Sequence, residues 1–403
     1  MSRYATDPPD TSALGPGCEP LALWAGTLRE LAGWRPEGGV LTVMAGAETG
    51  AADPAAAARI AVERDLRAVE EHLRETGPRE RWVALSEARE RSAEVVERML
   101  APGAPGRGRA LLIPLDGGAA KAIVLQAALP SGAWLGRVTR ILLLAESVWR
   151  GLPIALAAVA RDSVELDLVG LGYAVRDGAW TLPPEEDAEA HRGPVAADPS
   201  RAQHAVTHEE REESHAEDRR RRFLAEVAAA VSARAMQVGW QTLVLTGAPG
   251  AAEPLAERLA VGGVPVALVA HVDVAGSAAH VQADALADEI DGLRARFVER
   301  RVEAVLAAVG QGKGAEGPGA LPDALAEGRV AAVVLAPASD TPGYLTADGR
   351  LETIPLEEAE QVPSLLDEIA ARALATDAQV LVVDGDVAAP VTARGGAVAE
   401  LRW

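Results

Sequence analysis

Between Leu152 and Ala160 the chain runs nine residues without a charge. After Arg161-Asp162-Ser163 comes the strict alternation Val164-Glu165-Leu166-Asp167-Leu168. An uninterrupted apolar run of this length predicts a strand covered on both faces, and the alternation predicts a half-buried partner strand beside it. Short Val- and Ala-rich runs of this kind recur along the chain between longer stretches of helical period. That order implies α/β layers.

Turn residues divide the chain. Pro8, Pro9, Gly15, Pro16 and Gly17 mark residues 1–20 as a disordered tail. Residues 21–150 read as an N-terminal α/β domain. It comprises a helix over Leu21–Trp34, a strand over Val40–Met44, a helix entered at Asp53-Pro54 and another over Arg81–Leu100. Strands Arg109–Leu115 and Lys121–Ala127 follow around Asp116-Gly117-Gly118, a hairpin signal, and a helix over Ile141–Trp149 closes the unit.

Residues 151–280 form a second unit. It has the strand pair, a charged arm over 183–223, a helix over Glu209–Met236, and strands Thr242–Thr246 and Val264–Val269. Residues 281–403 form a third. A helix over Ala283–Val309 leads through Gly310–Gly319 to a short helix Pro322–Glu327 and a strand Val330–Leu335; a helix Val362–Thr376 and strands Gln379–Val383 and Ala397–Trp403 follow. The expected fold class is therefore three consecutive α/β domains.

Composition supports several domains and excludes some functions. A chain of 403 residues is long for one core. The apolar content is mostly Ala, Val and Leu, with eight Trp, three Tyr and two Phe, which suits closely packed helices and strands. A formal charge of −20 argues against broad nucleic-acid binding, DNA included, and leaves room only for a local basic patch. The single cysteine, Cys18, excludes an internal disulfide. No apolar run reaches the ~20 residues of a membrane span. A cytoplasmic protein without a membrane partner is expected.

The arm holds four of the seven histidines: His191, His204, His208 and His215. On a helix the last three fall within about 40° of one face. With Glu212 nearby they form one conceivable zinc-ligating set, the basis for a metal-dependent hydrolase. The segment His208-Glu209-Glu210-Arg211-Glu212 lacks the second histidine of H-E-x-x-H, and its charge suits a solvated helix, so no metal site is assigned.

Arg219-Arg220-Arg221-Arg222 is the dense basic cluster of the chain. Four consecutive residues point all round a helix, so at most two serve one surface. Gly247-Ala248-Pro249-Gly250 and Gly170-Leu171-Gly172 lack the spacing of a phosphate-binding loop and read as plain connections. The chain has no G-x-S-x-G elbow.

Taken in order, the pieces from Val40 to Trp403 resemble the bacterial relatives of archaeal and eukaryotic peptide-chain release factors, a group including actinobacterial proteins similar to the peptidyl-tRNA hydrolases of ribosome quality control. The strand Val40–Met44 with its two helices looks like that group's N-terminal domain. Leu152–Gly172 looks like the opening of its RNase H-like central domain. Gly328-Arg329-Val330, Gln379–Asp384 and the ending Gly395-Gly396-Ala397-Val398-Ala399-Glu400-Leu401-Arg402-Trp403 look like its C-terminal domain, similar to kink-turn-binding ribosomal proteins.

Arg192–Val227 stands where the family carries its catalytic loop. Members that release peptides have Gly-Gly-Gln there, and this chain has no Gly-Gly-Gln at all; its loop offers Gly193 and, ten residues on, Gln203. The resemblance implies a translation-associated protein that engages the ribosome or tRNA and uses no cofactor. Hydrolysis of peptidyl-tRNA, if retained, has Gln203 as its candidate residue. Arg192, Arg201, Arg219, Arg220 and Arg222 are the candidates to meet RNA. The alternative is a catalytically inert ribosome- or RNA-binding factor, with the metal-dependent hydrolase a second alternative.

Overall fold

A computed structural model of the chain describes residues 4–5, 14, 18–21, 25–46, 53–151, 153–183, 202–238, 240, 242–264, 266–356 and 358–403. They gather into two compact units. One joins Met1–Asp7 to Pro153–Ile290, and the other joins Pro8–Leu152 to Asp291–Trp403.

The second unit begins with β1 (Cys18–Pro20), α1 (Ala25–Gly33), β2 (Val40–Gly46), α2 (Pro54–Thr76), α3 (Arg79–Leu100), β3 (Gly108–Pro114), β4 (Ala120–Leu125), β5 (Gly132–Gly136) and α4 (Ile141–Arg150). Its sheet runs β1-β4-β3-β2-β5, with β1 parallel to β4 and the other neighbours antiparallel. α2 starts where the sequence expects: the Asp53 carboxylate accepts the Ala56 N–H at 3.0 Å, with Pro54 at the first helical position. The β3–β4 hairpin turns on Gly117 at φ 87°, and the Asp116 carboxylate accepts the Gly118 N–H. Cys18–Pro20, expected in the loose tail, instead pairs with Ala120–Ala122. Leu14 is fully buried, and its carbonyl accepts from the Arg98 guanidinium at 2.6 Å.

Period-2 alternation splits this sheet between two cores. Leu41, Val43 and Ile113 face Val62, Leu66, Leu85, Val95 and Met99 of α2 and α3. Val40, Met44, Ala110 and Leu112 face the opposite way, into a core shared with residues near the C-terminus.

The other unit holds β6 (Ile154–Val159), β7 (Ser163–Gly170), β8 (Tyr173–Thr181), α5 (Ala202–Val238), β9 (Leu243–Gly247), α6 (Glu253–Val261), β10 (Val266–Ala270) and α7 (Ala279–Ala285). Its strand order is β10-β9-β6-β7-β8. β6, β9 and β10 are parallel, while β7 runs antiparallel to both β6 and β8. The apolar run 152–160 is thus the central strand, fully buried from Ile154 to Val159. Gly170-Leu171-Gly172, read as a plain connection, is the tight turn of the β7–β8 hairpin. Leu171 and Gly172 both have positive φ, 49° and 82°, the geometry that matches the strand twist in a two-residue loop. Phe223, Leu224, Val227, Ala228 and Val231 of α5 cover the sheet with Leu255 and Leu259 of α6.

The rest of the chain comprises α8 (Ala287–Gly310), β11 (Gly314–Glu316), α9 (Leu321–Ala326), β12 (Val330–Leu335), β13 (Gly343–Leu345), β14 (Leu351–Glu352), β15 (Glu360–Val362), α10 (Leu365–Ala375), β16 (Gln379–Val382), α11 (Gly385–Thr392) and β17 (Ala397–Leu401). The main sheet is β11-β17-β12-β16, with only β12 and β16 parallel, and β14-β13-β15 is a small antiparallel sheet. Sequence expected a loose joint at Gly310–Gly319, but Gly314–Glu316 is an edge strand on β17.

Sequence expected separate first and third domains, whereas Leu28, Leu31, Ile141, Leu142 and Ala145 share one core with Leu325, Val333, Ile369, Ala370 and Val380. Neither α1 nor α10 can bury its apolar side alone, so they bury it together. Ion pairs ring this core: Arg29 with Asp377, Arg35 with Glu368, Arg137 with Glu360 and Arg140 with Asp340. No helix among the described residues is long and apolar enough to cross a membrane.

Candidate functional site

α5 has two unlike parts. From Phe223 onward its buried residues recur at helical spacing against the sheet. Among the described side chains before that point, residues 214–222, none is buried. Arg234, near its C-terminal end, fastens the helix to β8 through hydrogen bonds to both oxygens of Asp177, at 2.7 and 2.5 Å. Asp177 is the extra residue of a bulge, since Leu166 pairs with Gly178 and Asp167 with Arg176.

The arginine cluster lies where the two parts of α5 meet. Arg219 and Arg220 are half-buried, and Arg221 and Arg222 are exposed. Arg220 reaches the Ala251 carbonyl at 3.5 Å and Arg221 pairs with Asp218 at 3.0 Å. The four therefore diverge around the helix, as their consecutive positions require.

Arg192, Arg201 and His191 lie outside the described residues, as do the side chains of Gln203, His204, His208 and Glu212. The backbone of Gln203 belongs to α5, which begins at Ala202, earlier than the expected Glu209. Along a helix, Gln203 and Arg220 stand roughly 25 Å apart. They do not form one site. His215 is exposed, and among the described residues no group of three or more His, Cys, Asp or Glu is arranged to hold a metal ion.

The sequence reading missed a polar cluster on β7. Alternation placed Glu165 and Asp167 on one face, expected to be solvated. In the structure that face is covered: Asp167 is fully buried and Glu165 largely so. Arg176 of β8 lies between them, 2.9 Å from Glu165 and 2.5 Å from Asp167. Glu165 also accepts from the Gly276 N–H at 3.0 Å and from the Gln282 amide at 2.6 Å, and Arg176 donates to the Ser277 carbonyl. The only signal in the sequence was two carboxylates two residues apart on a half-buried strand, which does not reveal what covers them.

Burial pushes the Asp167 carboxyl above its ordinary range, more than Arg176 pulls it down. Burial acts on Glu165 in the same direction, but the Gly276 N–H, Arg176 and Gln282 together hold it below the usual range. Because an arginine already occupies the space between the two carboxylates, the cluster fastens residues 276–282 to the sheet. It does not present an open acid–base pair.

The Gly247–Gly250 turn is likewise a packing device. A Cβ at Gly247 would come within 2.3 Å of the Val159 carbonyl oxygen, so only glycine allows β9 to leave the sheet this close to β6.

Residues 153–315 match the model of Bacterial archaeo-eukaryotic release factor family 2. That stretch is release-factor-like. The matched stretch contains β6 to β10, α5 to α7 and the whole of α8, and therefore both the arginine cluster and the Glu165–Asp167 cluster. Among solved structures the chain is similar to the archaeal translation termination factor aRF1, at 15% identity over 95% of this chain and 99% of that one, with a TM-score of 0.24. It is also similar to Archaeoglobus fulgidus Pelota, at 12% identity over 73% and 79% with a TM-score of 0.30. A further likeness is to a model of ribosome-bound archaeal Pelota and ABCE1, at 12% identity over 95% of each chain with a TM-score of 0.41. No curated protein matches the chain.

Proposed function

We propose that this protein is a translation-associated factor that engages the ribosome or tRNA and works in the cytoplasm. The observation that carries this is the release-factor family match over residues 153–315. Two features support it. The strand order β8-β7-β6-β9-β10, with the second strand in sequence antiparallel and the last two parallel to the first, suits an RNase H-like central domain over 151–280. Out of that domain's core rises a long helix with the arginine cluster at its base, which gives an acidic protein a local basic surface. The alternation β12, α10, β16, α11 supports a likeness of residues 281–403 to kink-turn-binding ribosomal proteins, joined through one core to residues 21–150.

Within this reading the arm is a docking element whose contacts come from Arg192, Arg201, Arg219, Arg220 and Arg222. Hydrolysis of peptidyl-tRNA, with Gln203 placing water on the ester, is the active form of the same reading. The absence of Gly-Gly-Gln favours a second, inert form, because glycines are what let a backbone approach a nucleic-acid end closely.

Co-sedimentation with ribosomes at stepped salt tests docking, using the full chain and a deletion of residues 184–218. Retention by the full chain and weaker retention after the deletion is expected; equal retention by both removes Arg192 and Arg201 from the interface. Release of a peptidyl-tRNA mimic, with Gln203→Ala as control, separates the active from the inert form.

A further inference from the structure

The start of β2 and the end of β5 lie side by side, since Val40 pairs with Gly136. Two arginines flank that point in sequence, Arg35 before β2 and Arg137 after β5. Arg81, in the first turn of α3, donates to the Gly38 carbonyl at 3.1 Å and so joins them. Arg372 comes from α10, one turn after Glu368, and donates to the Gly349 carbonyl at 3.0 Å. All four belong to the unit that joins Pro8–Leu152 to Asp291–Trp403.

Two carboxylates meet these four cations. Glu360 is shared by Arg81 at 3.5 Å and Arg137 at 2.7 Å. Glu368 is buried and faces Arg35 at 3.6 Å, too long for a hydrogen bond, and its charge also acts on Arg372. Arg35 makes no hydrogen bond among the described residues, and the Arg372 hydrogen bond goes to a neutral carbonyl. Within the cluster two positive charges are therefore left over, on a chain whose formal charge is −20. Burial pulls the Arg372 pKa down; Glu368 opposes this, and the charges of Arg35 and Arg137 add to it. Three guanidinium groups thus stand close enough to repel one another around a single buried carboxylate. Such crowding is unfavourable in the free protein and is relieved when an anion enters. The side chains of Arg35 and Arg137 are 37% and 41% exposed, so a solute can reach them.

We infer that Arg35, Arg137 and Arg372 form a binding site for a phosphomonoester dianion. Guanidinium forks match the oxygens of a phosphoryl group, which offers acceptors in several directions at once. Two surplus charges favour a dianion over a monoanion, so the site fits a small phosphorylated molecule better than the diester of an RNA backbone. The site is independent of the arm and of ribosome docking.

The test titrates the full chain at about pH 8 and low ionic strength with two esters. Phenyl phosphate is a monoester close to doubly charged there, and dimethyl phosphate is a singly charged diester. Calorimetry should show phenyl phosphate binding roughly tenfold more tightly than dimethyl phosphate. Arg35→Gln with Arg137→Gln should weaken phenyl phosphate by about tenfold or more. Arg64→Gln, exposed and outside the cluster, should leave it unchanged. Glu360→Gln removes the carboxylate that engages Arg81 and Arg137 and should tighten phenyl phosphate severalfold, a gain that misfolding cannot produce. Absence of phenyl phosphate binding by the natural chain overturns the inference. So do equal binding of the two esters, unchanged affinity in the double variant, or weaker binding in a folded Glu360→Gln.

Discussion

Arg140 and Asp367 are 227 residues apart in sequence, and the Arg140 guanidinium donates a short hydrogen bond to the Asp367 carboxylate. Both are largely buried, with side chains 18% and 7% exposed. The other Asp367 oxygen accepts the Leu142 N–H at 2.8 Å, and Asp340 takes a second bond from Arg140 at 3.2 Å. This cluster sits inside the core that joins the two ends of the chain. Removing one partner leaves the other charge buried and unpaired, so Arg140→Ala should destabilise that unit by about 3–5 kcal/mol. Urea denaturation checks this, and the double variant Arg140→Met with Asp367→Leu should lose less than the sum of its single changes.

Glu165 fixes the Gly276 amide, so local opening there should depend on it. In Glu165→Ala, hydrogen exchange at Gly276 should quicken by roughly one to two orders of magnitude, while the buried strand β6 stays protected. Unchanged exchange at Gly276 would mean that the cluster does not hold residues 276–282.

Asp167 gives a pH signature. Its folded-state pKa is raised by burial. A group raised in this way contributes stability that is fully present below its unfolded value of about 3.9 and is lost as pH rises through the folded value. The natural protein should therefore lose stability relative to Asp167→Asn between acid and neutral pH. Denaturant midpoints measured for both proteins across that range decide it; a difference that grows in favour of the natural protein with rising pH contradicts the assignment.

Gly396 has φ 83°, and a Cβ there would fall 2.4 Å from the Ser339 Cβ. Gly396→Ala meets both a left-handed backbone and a clash, and should lower stability by more than about 1 kcal/mol. Melting curves of the full chain measure it.

For ribosome docking, Arg222→Ala should weaken binding and flatten its salt dependence. Each phosphate that the protein no longer neutralises lowers the slope of log affinity against log salt by about 0.7–0.9. An unaltered slope would mean that Arg222 does not meet a phosphate.

The sequence by itself determined the element types and much of the order. The uncharged run around Ile154–Val159 predicts a strand covered on both faces, and β6 is one. The Asp53-Pro54 start of α2 and the Asp116–Gly118 turn are local chemistry, legible wherever they occur. The family resemblance was also legible, because it depends on this order.

What only the tertiary structure decided is which surfaces meet. The exposed face assumed for Glu165 and Asp167 is covered by residues more than 100 positions away, Gly276 and Gln282. The first and last stretches share one core through Leu28, Ile141, Ile369 and Val380. The helices α2 and α3 are paired across their seam by Arg59–Glu97 and Arg89–Glu70. The physical reason is common to all three. Local pattern tells which side of an element seeks burial, but not which distant segment supplies the cover; that is settled only when separate apolar faces and charges find partners in the folded chain.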